Sequence, residues 1–91
     1  MLPGMIDNKE KQRFEATENG HLVFADYRIR DGRYALNHVE ADPALRGTGA
    51  AARLMEAIIA HARANNLKLL ARCPYAVAWF KRHPQEGDLI A

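Results

Sequence analysis

The sequence predicts a small domain of the α/β class, of the α+β kind with a mixed sheet: an antiparallel meander, a long crossover helix, a parallel strand and a short final helix. Three observations carry this reading. Glu18-Asn19-Gly20 and Asp31-Gly32 are hairpin signals between segments rich in apolar and β-favouring residues. Leu54, Ile58 and Ala62, flanked by Met55 and Ile59, repeat at helical spacing. Pro43, Asn65-Asn66, Pro74 and Pro84 punctuate what lies on either side of that helix.

Taken in order, residues 1–10 read as a loose start, with Pro3-Gly4 followed by charge and Met5 as an alternative initiator. Residues 12–17 form a first strand. Residues 21–30 form the second, with Leu22, Phe24, Tyr27 and Ile29 as its apolar positions and a bulge near Ala25-Asp26. In the third, residues 33–41, strict alternation puts Tyr34, Leu36, His38 and Glu40 on one face and Ala35, Asn37, Val39 and Ala41 on the other. The main helix runs from Thr48 or Gly49 to Asn65, with Arg53, Glu56 and Arg63 pointing away from the core and Asn65-Asn66 closing it in a left-handed cap. Residues 67–73 are a fourth strand ended by Pro74, and residues 77–83 a short helix halted by Pro84. Hairpins make the first strands antiparallel; the crossover makes the fourth parallel to the third. No repeat, low-complexity tract or linker interrupts residues 1–91, which read as a single domain.

Composition narrows the function. At 91 residues the chain buries only about 60–65% of its unfolded surface, which excludes a large multi-part enzyme, yet 48% apolar residues suffice for a packed core. No segment reads as a membrane span or a signal peptide, and a single cysteine suits a reducing cytoplasm. A net charge of +2 is too small to argue for nucleic acid. Its distribution is less even, since Arg63, Lys68, Arg72, Lys81 and Arg82 fall in a stretch without an acid, either a field for a small polyanion or an ordinary solvated face.

The densest chemistry lies in Asp42-Pro43-Ala44-Leu45-Arg46-Gly47-Thr48-Gly49-Ala50-Ala51. Gly47 and Gly49 let backbone N–H groups at a helix start approach a bulky anion, and Arg46 adds full charge, so the expected ligand is a phosphate. No Walker loop occurs. Gly47-x-Gly49-x-x-Ala52 meets a loose dinucleotide fingerprint, but no acid lies between Glu56 and Glu86 to hold a ribose. What remains is Arg46-x-x-Gly49-x-Ala51, against the plainer reading of a Gly-rich turn with Thr48 as helix N-cap. On the phosphate reading, Gly49→Val blocks the ligand and leaves the fold largely intact.

This loop resembles the acyl-CoA pyrophosphate loop of the GNAT N-acetyltransferases, which likewise joins a meander strand to a long helix and then a parallel strand. A second segment agrees: Cys73-Pro74-Tyr75-Ala76, then Phe80 and Arg82, is similar to the family's Asn-x-x-Ala segment with a following aromatic and basic residue, with Cys73 standing where Asn is usual. His83-Pro84 departs from the usual Gly-Phe, and the first strand, the two helices after it and the last two strands of a full-length member have no counterpart. The likeness is to the small stand-alone members and runs from about residue 14 to 89.

The resemblance implies acetyl transfer from acetyl-CoA to an amine, on a protein or a polyamine, without a metal. It implies coenzyme A contacts from Val39, Ala41, Arg46, Gly47, Thr48, Gly49, Ala50, Ala51, Ala76, Phe80 and Arg82. The chemistry needs a base, an oxyanion donor and a proton source for the departing thiolate. Glu40, at the end of the third strand, and His38, a residue type that titrates near neutrality, are candidates for base or relay, or merely polar strand residues. Cys73, at the mouth of the sheet before a helix start, is either a nucleophile for a covalent acyl intermediate or a small buried hydrophobe. Tyr75 is a candidate proton donor, since Phe80 has no hydroxyl. His21 and His61 have no ligand partners at metal spacing, and Trp79 with Phe80 caps the core. A non-catalytic CoA-binding protein and a basic interaction module for nucleic acid or protein are the alternatives.

Overall fold

A computed structural model describes residues 4–91. In chain order it has β1 (Ile6–Asn8), β2 (Arg13–Glu18), β3 (His21–Arg30), β4 (Arg33–Ala41), a 3₁₀ turn (Pro43–Leu45), α1 (Ala50–Ala64), β5 (Lys68–Ala71), α2 (Pro74–Arg82) and a 3₁₀ segment (Pro84–Ile90). The strands form one five-stranded sheet in the order β1-β2-β3-β4-β5. All neighbours are antiparallel except β4 and β5, which are parallel, as the hairpin and crossover pattern requires. Asn19 and Gly20, and Asp31 and Gly32, all take positive φ, the signature of tight hairpin turns that match the strand twist.

The start of the chain corrects the expected loose segment. Residues 1–3 lie outside the described residues, but Ile6–Asn8 pairs with β2. Sequence patterning misses it because Ile6 is 60% exposed, so no alternation marks the strand. Its anchor is polar: the Tyr27 hydroxyl donates to Asp7 at 2.6 Å from within the core, and burial together with Asp7 raises the phenol far above its ordinary range. Tyr27→Phe is therefore expected to cost about 1–2 kcal/mol. Amide exchange should show protection lost first at Ile6–Asn8.

Two further corrections concern the faces of the sheet. In β3 the core side chains are Val23, Ala25 and Tyr27, whereas Leu22 and Phe24 lie on the opposite face and Ile29 is 48% exposed. The small Ala25 sits under the helix, so the largest apolar residues do not mark the buried face. In β4 the register shifts at Asp26/Tyr27: Asp26 pairs with His38 and Tyr27 with Leu36, leaving Asn37 as the extra residue of a bulge. Strict alternation fails there. Leu36 faces the core with Tyr27, while His38 and Glu40 turn to the other side with Asp26 and Phe24.

Helix α1 covers the core face, burying Leu54, Met55, Ile58 and Ala62 against Phe14, Val23, Tyr27, Leu36 and Leu69. Its end is a Schellman closure: Leu67 N–H donates to Ala62 O at 2.8 Å, Asn66 N–H to Arg63 O, and Asn66 holds φ +57°. Strand β5 is shorter than expected because the N–H groups of Arg72 and Cys73 converge on the Leu36 carbonyl, both at 3.1 Å, which ends the ladder. The final helix then starts at Pro74 rather than at Val77, with proline in the first turn, where its missing N–H costs nothing.

Arg63 points away from the core, as expected, and from the surface it ties α1 to the last segment, with Nη2 donating to Glu86 at 2.6 Å and to Asp88 at 2.8 Å. The guanidiniums of Arg13, Arg53 and Arg63 hold the carboxyls of Glu15, Glu18 and Asp88 below their ordinary values. A carboxyl lowered in the folded state contributes stability above its unfolded pKa and loses it as pH falls through the folded value. The carboxylate contribution to thermal melts should accordingly be flat from neutral pH down to about 5 and decline below it, and be reduced by salt.

Candidate functional site

The loop between β4 and α1 is built to leave main-chain donors free. Asp42 Oδ1 accepts the Ala44 N–H at 2.8 Å, Pro43 sets the first turn, and Leu45, 3% exposed, pins the loop into the core. Thr48 Oγ1 donates to Leu45 O at 2.6 Å and accepts the Ala50 N–H at 3.3 Å, so this side chain braces the loop. The residue at the N-cap is Gly49, without a side-chain cap. Gly47 and Gly49 adopt φ +77° and +85°, the left-handed region in which glycine is at ease. Among the described residues, the N–H groups of Gly47, Gly49, Ala51 and Ala52 have no acceptor, and all belong to the mouth of α1. Arg46 is exposed and forms no ion pair among the described residues. The result is an exposed cluster of free donors beside a cation, suited to a phosphate.

Arg53 also stands at this mouth, pointing away from the core as the helical pattern expects but held by a partner that the pattern does not show. Its Nη2 meets Glu18 Oε1 at 2.7 Å and its Nε meets Oε2 at 2.9 Å, a bidentate clamp between α1 and the β2–β3 hairpin. A Cβ on Gly49 would lie 3.1 Å from Arg53 Nη1. The signal was an acid just before a hairpin turn, which only tertiary packing brings to the helix start.

An open edge lies beside the loop. Strand β5 pairs only with Arg33–Leu36 of β4, so β4 runs on to Ala41 with no neighbour on that side. Asp42 N–H donates to Leu22 O, which fixes the alternation: Glu40 and His38 bond toward β3, while Val39 and Ala41 turn N–H and C=O to the vacant edge. The bulge at Asn37 sits where the two strands part.

At the end of β5, the Cys73 Sγ accepts the Ala76 N–H at 3.3 Å and caps α2, and the residue is 6% exposed. Ala76, Phe80 and Trp79 are buried, with Trp79 edge-on to Phe80 at 5.2 Å, while Arg82 is exposed. Burial raises the Tyr75 phenol, with Arg82 acting in the opposite sense, so the hydroxyl stays protonated at neutral pH. Since β4 and β5 are parallel, the loop holding Arg46–Ala51 and the cap holding Cys73, Tyr75 and Ala76 follow the same ends of their strands.

His38 and Glu40 are brought together, Nε2 to Oε1 at 2.8 Å, but as an exposed pair on the face opposite α1, with His38 6.2 Å from Phe24. Among the described residues, neither makes a hydrogen bond or ion pair with Cys73 or Tyr75. His61 packs edge-on against Phe14, and His21 faces Asp42 at 3.7 Å. No group of three metal-ligating side chains occurs among the described residues, and no described helix is long and apolar enough to cross a membrane.

A family model described as GCN5-related N-acetyl-transferase matches residues 13–89, from β2 through the last 3₁₀ segment. No curated protein shows significant similarity to the chain.

Proposed function

Since the chain belongs to the GCN5-related N-acetyltransferase family, we propose that it moves an acetyl group from acetyl-CoA to an exposed amine, on a protein or a polyamine, in the cytoplasm. The observation that carries the reading is the pairing of free N–H donors at Gly47, Gly49, Ala51 and Ala52 with the vacant edge of β4. The pyrophosphate of the co-substrate binds that mouth with Arg46, Thr48 and Ala50 shaping it. The pantetheine amides lie along Val39 and Ala41, and Ala76, Phe80 and Arg82 flank the other side.

In the direct route the amine lone pair attacks the thioester carbonyl carbon, the C–N bond forms and the C–S bond breaks. A main-chain N–H of the vacant edge stabilises the oxyanion. His38 and Glu40 take the proton lost by the amine, and Tyr75 returns one to the departing thiolate. The burial of Cys73, 6% exposed, favours this route over a Cys73-bound acyl intermediate, because the thioester carbonyl has little access to the sulfur. The exposure of the His38–Glu40 pair favours an acceptor amine presented on a long stem rather than an enclosed small molecule.

Calorimetric titration with CoA, followed by mass analysis of acetyl transfer to lysine peptides, spermidine and compact amines, tests the proposal. CoA should bind, and peptides or spermidine should gain acetyl. Absence of CoA binding overturns the reading, and binding without transfer to any amine reassigns the chain to CoA binding alone.

A further inference from the structure

On the side of β5 away from β4, main-chain groups and an apolar cavity occur together. Arg72 N–H donates to Leu36 O, so by the alternation of a parallel ladder Lys68 and Leu70 bond to β4 while Leu69 and Ala71 turn N–H and C=O outward. Strand β5 packs against the Pro84–Ile90 segment, and Leu69 is fully covered. Ala71 is only half-buried, and it borders a cavity of about 370 Å³ lined also by Leu70, Val77, Phe80, Lys81 and Ile90. No acid lines this cavity. Lys81, on its rim, and Arg72, next to Ala71, are exposed and make no ion pair among the described residues.

We propose that this edge docks a short extended peptide of a partner protein, in which an apolar side chain fills the cavity and a neighbouring acidic residue pairs with Lys81. Each requirement comes from a separate feature. The outward N–H and C=O of Ala71 ask for an amide backbone, which an alkyl chain lacks; this is strand addition in its minimal form. The cavity accepts one Leu- or Phe-sized side chain. The unpaired cations select against basic segments and for acidic ones. The cavity shares Phe80 with the proposed CoA contacts, but Ala71 and Lys81, the residues changed below, are not among those contacts, and peptide binding is read without acetyl transfer.

Fluorescence polarisation with labelled hexapeptides, Glu-Xaa-Val-Xaa-Glu-Glu with Xaa as Leu, Ile, Phe or Val, tests it, with thermal melts as the check on folding. At least one member should bind, and Lys81→Glu should weaken it roughly tenfold or more. Ala71→Pro should do the same, because it deletes only the outward N–H and leaves the bonds to β4 made by Lys68, Leu70 and Arg72. Replacing both Xaa residues of the peptide by Ser should abolish binding. The proposal fails if no member binds at millimolar concentration, or if folded Lys81→Glu and Ala71→Pro proteins bind unchanged. It fails equally if sedimentation shows a dimer that Lys81→Glu dissociates, since the groove then belongs to a second copy of this chain.

Discussion

Arg46→Glu is expected to weaken CoA binding roughly 100-fold or more while changing folding stability by less than about 0.5 kcal/mol. The side chain is exposed and ion-pair-free, so its loss leaves nothing in the fold unpartnered. In the proposed CoA complex, however, the substitution removes a charge-assisted hydrogen bond to the pyrophosphate at the mouth of α1 and sets a like charge beside it. Gly49→Val does not separate binding from folding in the way the loop motif suggests. Its φ of +85° is strained for a branched side chain, at about 1–3 kcal/mol, and the new Cβ meets Arg53 at 3.1 Å, disturbing the clamp to Glu18. Gly49→Val should therefore lower the melting temperature, and of the two only Arg46→Glu reads the proposed phosphate site cleanly. Calorimetry showing unchanged CoA affinity in folded Arg46→Glu would remove the pyrophosphate from this loop.

What the sequence made legible was local. The hairpins announced themselves through residues that tolerate positive φ, Asn19-Gly20 and Asp31-Gly32, and α1 through a stripe that only a helix can align. The shape of the loop at residues 46–51 was legible for the same reason, since its free donors and its glycines are contiguous. Strand β1 was not, because what holds it, its ladder to β2 and a hydrogen bond from Tyr27 to Asp7, is tertiary and leaves no apolar alternation in the segment. The bulge at Asn37 was equally hidden. It depends on how β3 and β4 accommodate each other, and by reversing the alternation it carries His38 and Glu40 away from Leu36 to the open face. Periodicity turned Arg53 and Arg63 away from the core, where they lie, but did not show what holds them, because the acids Glu18, Glu86 and Asp88 come from other elements. The start of α2 at Pro74 follows from a cap that a free cysteine does not advertise, for serine, threonine, aspartate and asparagine are the usual residues there.

That cap sets the expected outcome at Cys73. Cys73→Ser should keep the helix start, since a hydroxyl accepts the Ala76 N–H at least as well as the thiol does, and should retain most of its acetyl transfer. Cys73→Ala should lose about 0.5–1 kcal/mol of stability through the orphaned Ala76 N–H, read as a lower melting temperature, with transfer altered only as far as the helix start shifts. A covalent route makes the opposite demand. The acetyl group would leave CoA for Sγ, with a new C–S bond replacing the old one, before the amine attacked. Intact mass after incubation with acetyl-CoA alone would then show one added acetyl, removable by hydroxylamine. Cys73→Ser would then bind CoA normally yet lose transfer by orders of magnitude, a loss confined to kcat. In the direct route no adduct forms and the serine variant turns over, because the hydrogen bond from Ala76 N–H, not nucleophilicity, is what residue 73 supplies.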